Sequence, residues 1–262
     1  MHKFLLPSLV VMMMSVTCLS QERQVIFGHS HNDYHRSRPL FEALEHNLKS
    51  IEVDVILVEG ELYVAHEESE INKANTLESL YLAPLMNEFL KRDSSLYGNE
   101  PLILMIDFKT EAAPTYNALV RILTHYKSMC SEYTDSIKTQ RAIDVIISGA
   151  RPIKQVQREK TRFLAIDGRP NEVYNKANTL LFPLVSEDWF DFVKQFGAIS
   201  ESDLKSKVTE YTTLAHNQGK IIRFWNIPNT ESQWKLMLEL GVDLINTDSP
   251  KKFSEFINNL NH

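Results

Sequence analysis

The chain is poor in the residues that would cross-link it, divide it or carry it onto nucleic acid. Two cysteines occur in 262 residues, Cys18 and Cys130. Cys18 lies in an apolar N-terminal run, so the body of the chain holds one thiol and no internal disulfide. Its core has to come from packing alone, and a chain of this length can bury one. Cys130 reads as an inert helix residue. No basic run or stripe is present, and 28 Lys and Arg stand against 34 Asp and Glu. That balance excludes a general nucleic-acid surface. No repeat, low-complexity tract or Pro/Gly/Ser linker marks a domain boundary. The one long apolar run, Phe4 to Cys18, is too short for a comfortable membrane span.

That run reads instead as a secretory signal peptide. Lys3 is its only Lys or Arg, and Cys18-Leu19-Ser20 is a small-x-small site before polar Gln21. The residues before Cys18, Val16 and Thr17, do not suit lipid attachment. The expectation is a leader over residues 1–20, then a single domain over residues 21–262, secreted or periplasmic. A monomer is expected.

The body alternates short β-rich apolar runs with longer amphipathic segments. Strands are predicted at Gln24–Gly28, Ser50–Val58, Leu102–Phe108, Ala142–Ser148, Arg162–Ile166, Leu180–Val185, Lys220–Trp225 and Asp243–Thr247. Helices are predicted at Leu40–Leu48, Leu77–Lys91, Tyr116–Cys130, Glu187–Phe196, Ser202–Gln218 and Thr230–Leu240. Glu59-Gly60 reads as a turn into a short strand, Glu61–Ala65. Eight such units without a linker argue for an α/β fold, a TIM-type (β/α)8 barrel, with a doubly wound sheet as the alternative. The helix signal is weak after Arg162–Ile166, so the barrel is expected to be irregular there.

Charge sits where this pattern should exclude it. Glu52 and Asp54 interrupt Ile51, Val53 and Val55, and residues two apart share one face of a strand. Two adjacent buried carboxylates need something positive, and a hard divalent cation such as Mg²⁺ or Ca²⁺ prefers their oxygens. The next strand repeats the device, with Asp107 and Lys109 two apart at its C-terminal end, where barrels keep their chemistry. Glu52, Asp54 and Asp107 can therefore converge on one ion beside Lys109. His29 and His31 end the first strand, and His66 follows the Gly60 turn. Two imidazoles beside such a site suit a phosphodiester: the ion and Lys109 offset charge on phosphorus oxygens, while one His takes a proton and the other gives one. Each piece alone has a plainer reading, as a salt bridge or a hydrogen-bonded loop residue. Their coincidence at one end of several strands is what points to a site. Arg36, Arg38, Arg151, Asp167, Arg169, Arg223 and Asp248 are further charged groups near strand ends. Arg36 and Asp167 are taken from these as substrate contacts.

The stretches "GHSHNDYHRSRPLFEAL", "SIEVDV", "LYVAH", "TLESLYLAPL", "MIDFK", "ISGARP", "DGRP" and "GVDLINTDSP" resemble the superfamily of phosphatidylinositol-specific phospholipase C and glycerophosphodiester phosphodiesterases. The likeness runs from Val25 to Pro250 and is strongest to the phosphodiesterase-like branch named after a fungal "altered inheritance of mitochondria" protein. It implies a TIM-type barrel with one Mg²⁺ or Ca²⁺. By resemblance His29 and His66 match the two catalytic histidines, and Glu52, Asp54 and Asp107 the metal ligands. Asp107 with Lys109, Asn32 three after His29, and Trp225 ending the seventh strand look like the sphingomyelinase D branch. The glycerophosphodiesterase "HRG" and the Pro-Glu-Asn-Thr run after it are absent, which sets glycerophosphodiesters apart as substrates more than it does phosphodiester chemistry.

The expected protein is thus a metal-dependent phosphodiesterase acting on a small-molecule or lipid phosphodiester, with peripheral membrane contact where the substrate is a lipid. Hydrolysis by water and cyclisation by a substrate hydroxyl both remain open. One rival is a metal-dependent amidohydrolase or PHP-type phosphoesterase, in which His29-Ser30-His31 would be an H-x-H pair and Asp248 the catalytic Asp. That class needs further His at later strand ends, where Asp167 and Ser186 stand instead. The other rival is a barrel that binds without turnover.

Overall fold

The computed structural model describes residues 26–260. The expected leader and the start of the first expected strand lie outside them. The barrel strands are β1 (Ile26–Ser30), β2 (Leu48–Val58), β3 (Leu102–Phe108), β4 (Ile143–Gly149), β5 (Ala165–Gly168), β6 (Leu184–Asp188), β7 (Ile221–Trp225) and β8 (Leu244–Thr247). All eight pair in parallel in chain order, and β1 pairs with both β2 and β8. The sheet therefore closes on itself as a (β/α)8 barrel, the arrangement expected from the sequence.

Period-two alternation sorts each strand between two environments. Ile51, Val53 and Val55 of β2 join Leu104, Ile106 and Val145 in the cluster between strands and helices. Ile103, Met105, Ile146, Ala165, Leu184 and Leu244 form a separate apolar cluster inside the barrel. Burying each aliphatic side chain contributes roughly 1.5–3 kcal/mol. The outward face of β2 therefore anchors it and lets the inward face carry charge. Behind β6–β8 a second outer cluster is aromatic: Trp234 and Phe253 meet edge-on at 5.1 Å, and Phe192 lies 4.9 Å from Phe224. The helix Pro250–Leu260 comes so near β1 that a Cβ on Gly28 would stand 2.6 Å from the Phe253 ring.

Glu59 and Gly60, both at positive φ, turn β2 into the antiparallel strand Glu61–Val64, as expected. That hairpin delivers His66. The expected fifth and sixth strands lie upstream of the observed ones. Thr161–Arg162 pairs instead with Glu132–Thr134, which also pairs with Lys138–Thr139, in a small antiparallel sheet. Leu164, Leu181 and Phe182 are apolar because they pack in the outer cluster, not because they are barrel strands. The crossover after β5 has only the five-residue helix Pro170–Tyr174, in line with its weak signal. The helix expected to end at Cys130 runs Ala112–Tyr126 instead, so Cys130 lies beyond it, bridged to Ile143.

Burial pushes the Cys130 thiol up to about 12. In a chain starting at Gln21, a disulfide reagent at mildly alkaline pH should therefore find no reactive thiol in the native protein and one after unfolding. Rapid labelling of the native protein would contradict this packing.

Candidate active site

The barrel brings Glu52, Asp54 and Asp107 together: one carboxylate oxygen from each lies within 4.8 Å of the others. Register explains the meeting. Asp54 stands beside Asp107, and Asp107 beside Ser148, in one row across β2, β3 and β4. The end of β4 is Gly149, at φ +66°, where a Cβ would collide with the Phe108 backbone and the Asp107 carboxylate.

Glu52 sits one layer deeper than Asp54. Its Oε2 accepts from Arg223 at 2.8 Å and from His29 Nε2 at 2.9 Å, while Oε1 has no such partner among the described residues. Burial opposes the charged form, but Arg223 and His29 outweigh it and hold Glu52 well below the usual carboxylate range. Arg223 is itself fixed by Asn246 Oδ1 at 3.1 Å. The His29 ring is fully buried. A carboxylate only accepts, so Nε2 carries the hydrogen and Nδ1 accepts from Ser50 Oγ at 2.8 Å. Burial and Arg223 lower the His29 pKa to about 4, so the ring is neutral.

Asp54 Oδ2 accepts from Tyr34 OH at 2.8 Å and His66 Nδ1 at 2.7 Å, and Lys109 Nζ lies 3.2 Å away. Lys109 is also 3.2 Å from Asp107 Oδ1. Burial opposes the Lys109 charge, yet Asp107 and Asp54 prevail and raise its pKa, so it stays an ammonium. Burial pushes the Asp107 carboxyl up against the pull of Lys109, and Asp54 and Glu52 add to the push.

Above this cluster opens a cleft of about 310 Å³, lined by His31, Asn32, Glu52, His66, Asp107, Lys109 and, across from them, Ser148, Asp167, Arg169, Arg223 and Trp225. The sequence-derived residues Glu52, Asp107, Lys109, His66, Asn32, Asp167 and Trp225 thus face one space. His29 lies beneath it. Arg36 is not among the lining residues: it donates to the His31 carbonyl at 3.0 Å and stands 3.9 Å from Asp248. Asp167 is fully buried, with Oδ2 accepting from Ser148 at 2.8 Å and Arg169 at 2.8 Å. Its Oδ1 and the Ser186 hydroxyl have no hydrogen-bond partner among the described residues. Tyr34 and Ser148 carry no sequence signal. Arg223 does, as a lone charge in the apolar "IIRFW" of β7, the same signal that marks Glu52.

The residues present fit a hard cation. Among the described residues Asp54 Oδ1 is buried without a hydrogen-bond partner, in a donor set made only of carboxylates. Three acids there face two fixed cations, Lys109 and Arg223, which leaves negative charge uncompensated. His29 and His31 belong to no metal-holding group among the described residues, so the H-x-H arrangement finds no support.

The fold is that of the glycerophosphodiester phosphodiesterase barrels. One such enzyme, from Parabacteroides distasonis, aligns with a TM-score of 0.50 at 17% identity, over 86% of this chain and 90% of that one. The chain matches the AIM6-like phosphodiesterase domain over residues 17–167, more than half its length, and the glycerophosphoryl diester phosphodiesterase family over residues 222–251. It belongs to the AIM6-like phosphodiesterase family, within the superfamily that includes the glycerophosphodiesterases and PI-specific phospholipases C, and is a phosphoric diester hydrolase. Among its relatives, the altered inheritance of mitochondria protein 6 homolog of Arthroderma benhamiae is 28% identical over 84% of this chain and 80% of its own length. The Kluyveromyces lactis altered inheritance of mitochondria protein 6 is 27% identical over 87% of this chain and 71% of its own.

Gly149→Ala should cost roughly 1–3 kcal/mol through the left-handed backbone and the collision at Asp107. Thermal unfolding checks this; an unchanged midpoint would contradict the contact.

Proposed function

We propose that the chain is an exported phosphodiesterase that holds one Mg²⁺ or Ca²⁺ on Glu52, Asp54 and Asp107 and cleaves a small-molecule or lipid phosphodiester in the cleft above them. The single observation that carries this reading is the buried Asp54 Oδ1, without a hydrogen-bond partner among the described residues, within a cluster of three carboxylates. Once bound, such a cation supplies positive charge for the phosphoryl oxygens and aligns them. Lys109 adds a second positive charge at the same edge of the cleft. His66 directs its Nδ1–H to Asp54, which leaves Nε2 as the ring's free proton-transfer atom. The second imidazole comes from the end of β1, which bears His29 and His31. Asn32, Asp167 and Trp225 line the space left for the rest of the substrate, with Arg36 behind them bracing the loop that follows β1. The leader-like residues 1–20 support export. An exposed Trp225 beside the cleft suits a lipid's chains as well as a soluble ester's apolar part, and the chain is taken to act as a monomer.

The test is turnover of bis-p-nitrophenyl phosphate and of natural phosphodiesters by the chain from Gln21, before and after chelation. Activity should vanish with chelator and return with Mg²⁺ or Ca²⁺, and phosphorus NMR should show a monoester or a cyclic phosphate. Asp54→Asn should lower the rate on the order of 100-fold or more. Turnover indifferent to chelator would contradict the reading, and a folded, metal-loaded protein that turns over none of these esters would favour a binding barrel.

A further inference from the structure

We propose that Asp33, buried outside the cleft, is a positioning residue: it clamps both ends of the loop between β1 and the helix Phe41–Glu45, and so sets Asn32 against the substrate. The proposal rests on the phosphodiesterase reading above and names a residue on which its geometry depends but which does not touch the reacting atoms.

The loop covers residues 31–40 and lines the cleft with His31 and Asn32. Its first residue is held by neighbours on β8. His31 N–H donates to Thr247 O at 3.1 Å, and His31 Nδ1 lies 2.9 Å from Asp248 Oδ1. Beyond His31 the backbone adopts conformations that a chain seldom keeps unaided. Asn32 is left-handed, at φ +45°. Leu40, fully buried, lies at φ +67° and ψ −53°, and across it Phe41 N–H donates to Pro39 O at 2.8 Å. That is a γ-turn of the rare, strained hand. Such strain persists only where the surroundings over-determine it.

Asp33 supplies that constraint. Its fully buried carboxylate gathers three donors. Oδ1 accepts from Ser30 Oγ, on the last residue of β1, at 2.7 Å. Oδ2 accepts from the N–H of Leu40, at the centre of the γ-turn, and from Tyr81 OH at 3.0 Å. One side chain thus ties the entry of the loop to its exit, and both to a third element. Tyr81 is itself fully buried, on the π-helical turn Glu78–Leu82, a rare geometry that recurs near functional sites. Asp33 and its three partners are not among the residues that line the cleft.

The clamp reaches Asn32 through the backbone. His35 N–H donates to Asn32 O and Arg36 N–H to Asp33 O, each at 3.0 Å, which closes the turn that starts at Asn32. The Asn32 amide takes no part in capping this turn and is left for the cleft. Its direction depends on a left-handed backbone next to Asp33, so an error at Asp33 is passed directly to it.

Variants of the chain from Gln21, assayed on bis-p-nitrophenyl phosphate, test this. Asp33→Ala should lower kcat/KM about 10–100-fold. Hydrogen exchange read by mass spectrometry should speed up over residues 31–40 while the barrel strands keep their protection. Asp33→Asn should recover most of the rate, since its amide oxygen can accept from Leu40 and Tyr81 and its amide nitrogen can donate to Ser30 Oγ. Tyr81→Phe removes one donor and keeps the packing; it should cost about 3–10-fold, and it serves where Asp33→Ala fails to fold. Since Asp33 acts through Asn32, the losses should not add. In an Asn32→Ala background, Asp33→Ala or Tyr81→Phe should lower the rate by no more than about threefold further. A merely structural role would leave these losses additive. The proposal is overturned by additive losses, by wild-type turnover in both Asp33→Ala and Tyr81→Phe, or by an Asp33→Asn that loses as much as Asp33→Ala. No turnover in the wild type would count against the phosphodiesterase reading instead. The exchange contrast between Asp33→Ala and Asp33→Asn would then decide whether Asp33 clamps the loop.

Discussion

Negative charge concentrated inside a barrel is the constraint on which the site depends. Glu52 and Asp54 are held inside by the apolar outer face of the strand that carries them, and Asp107 is brought alongside by strand register. An unpaired carboxylate in such a place costs several kcal/mol. The chain answers with named groups. Arg223 and the His29 N–H take one oxygen of Glu52, while Tyr34, His66 and Lys109 gather on one oxygen of Asp54. The oxygen left over, Asp54 Oδ1, gives the arrangement its chemical direction.

Barrel closure turns the period-two pattern into layers of depth. Apolar residues from Ile103 to Leu244 fill the interior, a polar layer of Glu52, Arg223 and the neutral His29 lies over them, and the layer of Asp54, Asp107, Lys109 and the cleft histidines lies above that. In the middle layer Arg223 and the His29 N–H fix Glu52 through its Oε2. The upper one is partly exposed, so it can meet a substrate. Fixed charges below and cleft-lining imidazoles above are what a preorganised site for an anionic ester requires.

Most of this was legible in the sequence. Carboxylates two apart in an apolar run, twice over, placed Glu52, Asp54 and Asp107 on inward faces, and the alternation of runs pointed to the barrel. Depth was harder to see. The first strand reads as ending at Gly28 because the chain turns polar at His29, yet it pairs through Ser30, which sinks His29 a layer and leaves His31 at the cleft. Ionic partners from distant strands, such as Arg223 on Glu52 and Asp248 on His31, depend on closure of the barrel, and no local pattern encodes them. The same holds for Tyr34, whose hydroxyl reaches Asp54 from the short 3-10 helix Asp33–His35. Strands β5 and β6 were misplaced because the apolar residues just before them, Leu164 and Phe182, pack against the helices with the same composition a strand would have.

The most direct measurement is anomalous diffraction from crystals of the chain grown with Mn²⁺ as a stand-in for Mg²⁺. The account predicts one strong peak among the carboxylates of Glu52, Asp54 and Asp107, bonded to Asp54 through Oδ1. A structure with the same three acids in place and manganese bound elsewhere, or nowhere, would contradict it.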